Sequence, residues 1–130
     1  MIRAVIIAAV ALMLSAGPAA AAAGKSGSSL LEHCREYEKI EAGQDANLVE
    51  GGFCLGYIGG VWDIIQLQRF RSETEAPVRF LLESCTPNGA TRGQVALIVI
   101  KHLKENPAQL HLSATVPIMA ALQEAWPCPK

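Results

Sequence analysis

Four cysteines, three histidines and one aspartate inside an apolar run are the residues of this chain best suited to chemistry. A catalytic cysteine needs a free thiol near a base, and a structural zinc site needs closely spaced cysteine and histidine pairs. The sequence contains no C-x-x-C pair, no C-x-x-C-H haem motif and no H-x-x-x-H pair. His33 adjoins Cys34, but adjacent residues on a helix point in different directions. We therefore predict no metal, no cofactor and no catalytic residue.

The N-terminal residues have the composition of an export signal. Arg3 precedes a charge-free apolar run, and five alanines follow Pro18. This pattern predicts a secretory signal peptide over residues 1–23, cleaved after Ala21, Ala22 or Ala23. No cysteine follows the cleavage region, so a lipid anchor is not expected. Residues 24–130 are predicted to form one domain in the periplasm.

The charge of the chain argues against nucleic acid as a partner. The formal net charge is −1, and loss of Arg3 with the signal peptide makes it one unit more negative. There is no basic stripe and there are few aromatic residues, whereas nucleic-acid surfaces are rich in both. We expect proteins or small molecules as partners.

Three short motifs predict helix starts, because a small polar side chain caps free amides and Glu or Gln follows three residues later. The motifs are Ser29-x-x-Glu32, Asn47-x-x-Glu50 and Thr91-x-x-Gln94. Each opens a stretch in which apolar residues recur at helical spacing. These stretches predict the first three helices.

A fourth helix is predicted over residues 107–125, with Pro117 either kinking it or marking its true start. A short helix is predicted over residues 77–82, before Cys85. No useful alternating strand pattern occurs. The predicted fold is all-α, a small disulfide-stapled bundle of four main helices plus one short helix.

An even number of cysteines in a small exported domain predicts disulfides. If the first two helices form an antiparallel hairpin, Cys34 and Cys54 lie at nearly equal distances from the turn. The same construction for the last two helices places Cys85 opposite Cys128. We therefore predict the bridges Cys34–Cys54 and Cys85–Cys128.

The segment CLGYIGGVWDII (54–65) contains unusually many glycines for a helix. On a helix, one face contains Gly52, Gly56, Gly59, Gly60 and Asp63. Interior glycines destabilise a helix, so we expect this face to form a groove into which another helix packs closely. Gly-x-x-x-Gly spacing also suits membrane helices, but Glu50 and Asp63 bracket only a short apolar run, so we predict no membrane anchor.

Asp63 needs a partner or water, because an isolated carboxylate among apolar residues is costly. One interpretation is a structural bond to a backbone amide or to an Arg, Tyr or His of a neighbouring helix. The other is a contact with a partner or a second copy of the chain. No companion carboxylate or Ser-His or Cys-His motif lies near Asp63 in the sequence, which argues against a catalytic role for it.

Three segments together resemble a known family: CLGYIGGVWD (54–63), CTPNGATRGQ (85–94) and HLKENPAQLHLSATVPIMAALQEAWPCP (102–129). They resemble the Rap/Tai family of exported immunity proteins, which neutralise peptidoglycan amidase effectors of type VI secretion systems. The resemblance spans residues 30–129. It rests on a joint pattern of residues: Cys54, Gly56, Tyr57, Gly60, Asp63, Cys85, Pro87, Gln94, Leu103, Pro107, His111, Ala114, Ala121, Leu122, Pro127 and Cys128.

The resemblance implies a small helical periplasmic protein, often a homodimer, that blocks the cleft of an amidase with a protruding loop. It also implies that the protein is not an enzyme. By analogy, the corresponding loop is residues 86–92, with Thr86, Pro87, Asn88 and Arg92 as candidate contacts. Gly56, Gly60 and Asp63 are candidates for a groove or dimer contact.

Two other functions compete with this one. The first is a periplasmic stress or chaperone-like module whose helices open at acid pH and expose their apolar faces to client proteins. The second is a small hydrolase or thiol enzyme, which requires a free thiol or a catalytic cluster.

Overall fold

A computed structural model describes residues 25–72 and 83–129. The helices in chain order are α1 (Gly27–Glu41), α2 (Leu48–Ser72), α3 (Arg92–Glu105) and α4 (Thr115–Ala125), with a short 3-10 helix at Pro107–Gln109 between α3 and α4. Within these ranges there is no strand, only an isolated bridge between Ser26 and Ser113. The predicted all-α fold is confirmed. The predicted signal peptide and the predicted helix over 77–82 lie outside the described residues.

Two of the three predicted helix caps are confirmed. The Asn47 side chain accepts hydrogen bonds from the backbone N–H of Val49 (3.0 Å) and Glu50 (3.3 Å) at the start of α2. The Thr91 hydroxyl accepts one from the N–H of Gln94 (3.2 Å) at the start of α3. Both caps satisfy amides that have no partner inside the helix.

The predicted cap of α1 is wrong by one turn. Ser26, not Ser29, caps this helix, and its hydroxyl accepts a hydrogen bond from the N–H of Ser29 at 3.2 Å. The reason is tertiary: Gly27 N–H donates to the carbonyl of Leu112, and Ala114 N–H donates to the carbonyl of Lys25. These bonds tie the chain before α1 to the α3–α4 connection, and α1 starts where they end.

The fourth helix is shorter than predicted. Pro107 opens the 3-10 helix, and a turn separates it from α4, which begins at Thr115. Pro117 lies in the first turn of α4, where its missing N–H would have no partner inside the helix. Pro117 therefore marks the true start of the helix, which was one of the two predicted roles.

The core lies where the four helices meet. Its fully buried side chains come from every helix: Leu30, Cys34, Cys54, Ile58, Val95, Val99, Leu103, Ile118 and Leu122. The Cys34–Cys54 bridge crosses this core between α1 and α2, with a Cα–Cα distance of 5.0 Å. The Cys85–Cys128 bridge has a Cα–Cα distance of 4.9 Å. Both predicted pairings are confirmed.

Gly51, which the sequence reasoning did not single out, is the glycine at which α1 and α2 approach most closely. A Cβ there would lie 3.2 Å from the backbone nitrogen of Tyr37 and would overlap the end of the Ile40 side chain. At the adjacent Gly52, no heavy atom of the described residues lies within 4 Å of a Cβ position. Close packing therefore explains why position 51 is a glycine, but it does not explain the glycine at position 52.

This pair of neighbours gives a matched test. Gly51→Ala is expected to lower the free energy of unfolding by about 1 kcal/mol, because overpacking outweighs the gain in helix propensity. Gly52→Ala adds the same methyl group at an exposed site and is expected to raise it by about 0.5 to 1 kcal/mol. Urea unfolding of both variants measures the difference. Equal shifts for both variants would contradict the packing of α1 against Gly51.

Helix α2 is long as well as apolar. By length and composition alone, its segment Leu48–Gln68 is able to cross a membrane, with 28% of the most apolar window buried inside the protein. The segment contains Glu50 and Asp63, the two charges on which the prediction of no membrane anchor rests, and that prediction stays a prediction. The criterion is weak evidence for insertion, because core helices of soluble proteins also satisfy it.

Candidate partner-binding site

The loop before α3, residues 86–92, has a firmly held base at Ser84 and Cys85. The Ser84 hydroxyl donates to the carbonyl of Leu122 at 2.9 Å, and the Cys85 N–H donates to the carbonyl of Trp126 at 2.8 Å. The disulfide to Cys128 adds a covalent tie at the same point. The base of the loop is thus fastened to the end of α4.

Thr86 anchors the loop to α2. Its hydroxyl accepts hydrogen bonds from the indole N–H of Trp62 (3.3 Å) and the side-chain amide of Gln66 (3.0 Å). Thr86 is only 6% exposed. The prediction that Thr86 contacts a partner does not fit this burial, since its hydroxyl faces α2. Its role in this structure is to position the residues that follow.

The tip of the loop is its exposed part. Pro87, Asn88 and Gly89 are exposed, and the N–H of Ala90 donates to the carbonyl of Pro87 at 3.3 Å. Gly89 has φ +90°, as the third residue of a type II turn requires. This turn presents the amide side chain of Asn88 to solvent on a defined backbone. Of the four predicted contact residues, Pro87, Asn88 and Arg92 lie where a partner can reach them.

An ion pair fixes the far end of the loop. Arg92 Nη2 lies 2.6 Å from Asp63 Oδ2, and both side chains are about half exposed. The Arg92 guanidinium also lies 6.0 Å from the centre of the Trp62 ring. Asp63 therefore has an arginine partner, which was one of the predicted structural alternatives. An exposed pair contributes at most about 1 kcal/mol to stability, so its main effect is on position.

Gly59 makes room for this ion pair. A Cβ on Gly59 would overlap Nη1 of Arg92, whereas no heavy atom of the described residues lies within 4 Å of a Cβ on Gly60. The chain therefore needs glycine at position 59 for the Arg92 side chain to lie across α2. At position 60 it has no such requirement within the described protein.

Substitution at these two glycines separates positioning from stability. Gly59→Ala is expected to displace Arg92 from Asp63 while changing the free energy of unfolding by less than about 1 kcal/mol, because the lost pair and the gained helix propensity nearly cancel. Gly60→Ala should leave the ion pair intact. The side-chain NMR resonance of the Arg92 guanidinium reports the displacement. An unchanged resonance in Gly59→Ala would contradict the arrangement.

Tyr37, on α1, packs against the beginning of α3. It is buried, and a Cβ on Gly93 would lie 3.0 Å from its hydroxyl oxygen. Burial, and then a hydrogen bond to the Glu41 carboxylate, raise the pKa of Tyr37 to about 12. The phenol therefore remains neutral at physiological pH.

A second surface lies on α2 beside the loop. Three of its glycines, Gly52, Gly56 and Gly60, are exposed, and no heavy atom of the described residues lies within 4 Å of a Cβ on any of them. Large apolar side chains on the same face are also exposed, including Val49 (79%) and Leu67 (56%). We call this surface the open glycine face and define it as Val49, Gly52, Phe53, Gly56, Gly60, Ile64 and Leu67.

The prediction that another helix of this chain packs against the glycine face is therefore wrong for the described residues at Gly52, Gly56 and Gly60. Sequence spacing alone does not tell which side of an apolar helix faces the core. The Cys34–Cys54 bridge and Ile58 turn the opposite side inward and leave these glycines outside. The loop borders this face at Asp63.

The remaining chemical groups do not assemble a reactive centre within residues 25–72 and 83–129. All four cysteines are in disulfides. No group of three or more His, Cys, Asp or Glu residues among those described is arranged to hold a metal ion. His33 pairs with Glu50 across α1 and α2, and His102 Nδ1 lies 3.0 Å from a Glu124 carboxylate oxygen. These histidines join helices to one another.

Trp62 and Gln66 are the loop-positioning residues that the sequence reasoning missed. One signal was present: a tryptophan N–H that is removed from water requires an acceptor, and Thr86 is a hydroxyl residue next to the loop cysteine. The sequence does not indicate which hydroxyl meets which indole across 24 residues of chain.

Comparison with known protein families gave one match. The family model described as Rap1a immunity proteins matches residues 26–128. This chain belongs to that family of immunity proteins. Searches of curated proteins and of solved structures found no match. Membership indicates a protein partner, a secreted effector, and such families are generally not enzymatic.

Proposed function

We propose that this protein is exported to the periplasm, where it binds and inhibits a peptidoglycan amidase effector of a type VI secretion system. The observation that carries the proposal is the exposed tip, Pro87–Asn88–Gly89, held between the Thr86 anchor and the Asp63–Arg92 ion pair. A tip already held in one conformation loses little entropy on binding, which favours tight inhibition.

The compartment is supported by two kinds of observation. Disulfides form and persist in oxidising compartments such as the bacterial periplasm, and this chain contains two of them. Residues 1–23 have the pattern of a cleaved signal peptide. The amidase as target rests on the resemblance to the Rap/Tai family.

In this proposal the tip enters the cleft of the amidase. The tip is uncharged, so shape and hydrogen bonding by Asn88 and by the free backbone groups of the turn provide the contact. Arg92 lies at the edge of the tip, and its N–H groups that face away from Asp63 are able to donate to the effector.

The test is a periplasmic rescue. The open reading frame adjacent to this gene is expressed as an exported protein, with and without this chain, and lysis is followed. Co-expression is expected to abolish lysis. Asn88→Arg, which adds bulk and charge at the tip, should lose protection, whereas Lys101→Ala, an exposed change on α3, should retain it. Lysis that continues beside a well-expressed, folded chain would refute the proposal.

We also propose that the open glycine face forms a homodimer contact through Gly56 and Gly60, with Asp63 at its edge. Exposed glycines flanked by large apolar side chains allow two helices to approach closely. Contact with a second copy would remove this apolar surface from water and offset the helix cost of the glycines.

Gly56→Leu tests the dimer. Because the site is open in the single chain, this variant is expected to unfold like the wild type when both are monomeric. It should weaken self-association by at least about tenfold, since a leucine prevents close approach of the helices. Sedimentation equilibrium of the two proteins measures the difference. A strongly destabilised monomer, or a wild type that stays monomeric at high concentration, would contradict the proposed contact.

The open glycine face also favours a second candidate, the stress or chaperone-like module. In that role the exposed apolar side chains bind unfolded clients and no toxin is needed. Suppression of aggregation of an unfolded test protein, lost in a Val49→Ser/Leu67→Ser variant, would favour this function. An unchanged aggregation rate would exclude it.

A further inference from the structure

The two disulfides of this protein differ in access to solvent. Cys34 and Cys54 are both 0% exposed, whereas Cys85 and Cys128 are each partly exposed. Reduction requires a thiolate to approach a sulfur atom of the bridge. The folded protein therefore exposes part of both residues of the Cys85–Cys128 bridge to an external reductant, while the other bridge lies in the core.

The exposed bridge connects the loop base to the segment after α4. This segment is irregular, and two of its residues, Pro127 and Pro129, have no N–H with which to hold it in place. The carbonyl of Trp126 accepts the N–H of Cys85, the residue directly before the Thr86 anchor. Breaking the bridge removes the covalent tie between the tail and the base of the loop and leaves only non-covalent contacts such as this one to hold them together.

Other contacts would hold the remaining fold together. The Cys34–Cys54 bridge joins α1 to α2 inside the core, and the hydrogen bonds of Thr86 reach α2 without involving the tail. Reduction of Cys85–Cys128 thus affects the loop base first and leaves the helical core connected.

We propose that Cys85–Cys128 is a selectively reducible disulfide through which a dithiol reductant controls the loop. A thiolate of the reductant attacks one sulfur of the bridge, forming a mixed disulfide and releasing the other sulfur as a thiolate. The second thiol of the reductant then displaces the first cysteine. The products are oxidised reductant and two protonated cysteines, so two electrons and two protons pass to the bridge. The consequence for binding rests on the proposed function, whereas the selectivity does not.

The first experiment tests selectivity in the mature chain. The native protein is incubated with a limiting concentration of dithiothreitol, alkylated with iodoacetamide without denaturant, and mapped by peptide mass spectrometry. Labelling of Cys85 and Cys128 is expected at least about tenfold faster than that of Cys34 and Cys54, which should react only on global opening. Simultaneous labelling of all four cysteines, or earlier labelling of the core pair, would overturn the proposal.

The second experiment follows the loop. Amide hydrogen exchange over residues 86–90 is expected to become at least about tenfold faster in the selectively reduced protein, while exchange in α1 stays slow. The variant Cys85→Ser/Cys128→Ser should reproduce this pattern without any reductant. Unchanged exchange in the loop of both forms would refute control of the loop.

The binding measurement separates this inference from the proposed function. If the oxidised chain binds the effector and the selectively reduced chain binds at least about tenfold more weakly, both the proposed function and the redox control are supported. If the oxidised chain does not bind, the proposed function fails while selective reduction and loop loosening are judged by the first two experiments. Equal binding by oxidised and selectively reduced chains would overturn the redox control alone.

Discussion

Replacing Cys34 and Cys54 together by alanine is expected to lower the free energy of unfolding by about 4 kcal/mol. The bridge closes a loop with a sequence separation of 20, which the chain-entropy account values at about 3 kcal/mol. Both residues are fully buried, so loss of their sulfur atoms also removes core contacts. Such a loss is a large part of the total stability of a small domain.

Urea unfolding measures this prediction, with the Cys85–Cys128 bridge intact in both proteins. Glu32→Ala, an exposed position on the same helix, serves as the control and should stay within about 0.5 kcal/mol of the wild type. A loss below about 1 kcal/mol in the double variant would show that the hairpin of α1 and α2 is held by packing alone.

Thr86→Val is expected to cost about 1 to 2 kcal/mol and to loosen the loop. Valine has nearly the shape of threonine but cannot accept the hydrogen bonds of Trp62 and Gln66. Donors that lose their acceptor in a largely buried site destabilise the folded state. Because this anchor precedes the tip directly, amide exchange at residues 88–90 should become faster as well.

Thr86→Ser is the matched control, since it retains the hydroxyl and removes only a methyl group. It should keep the slow exchange of the tip and most of the stability. Identical behaviour of the valine and serine variants would contradict the anchoring role of the hydroxyl and leave the tip to be positioned by Arg92 and the disulfide.

The parts of the fold that follow local rules were predictable from the sequence. Asn47 and Thr91 cap their helices because a short polar side chain satisfies the amides of its own first turn. The disulfide pairing followed from the hairpin layout, since cysteines equidistant from a turn lie opposite each other. These features depend on neighbours in the chain or on the order of the helices.

The features that depend on distant contacts were not predictable. Ser26 caps α1 because the segment before it bonds to the α3–α4 connection, which no local pattern records. Gly51 and Gly52 are chemically identical neighbours, and only the direction of α1 makes one of them necessary.

The candidate site shows the same division between local and distant information. The turn at the loop tip was predictable from Pro87, Asn88 and Gly89, because these residue types favour a turn conformation of the backbone. Arginine was among the partners considered for Asp63, but the sequence did not identify Arg92. The sequence also did not indicate that the Thr86 side chain faces α2, because this orientation depends on the indole of Trp62 on that helix.

The measurement that tests the central claim most directly is calorimetric titration of the oxidised mature chain with the purified product of the adjacent open reading frame, in parallel with its amidase activity. The wild type is predicted to bind with a Kd of about 10 nM or tighter and to abolish activity at saturation. Asn88→Arg should weaken binding by at least about a hundredfold, whereas Lys101→Ala should bind like the wild type. Absence of binding to an effector shown to be active, or equal affinity of the Asn88→Arg variant, would contradict inhibition through the loop tip.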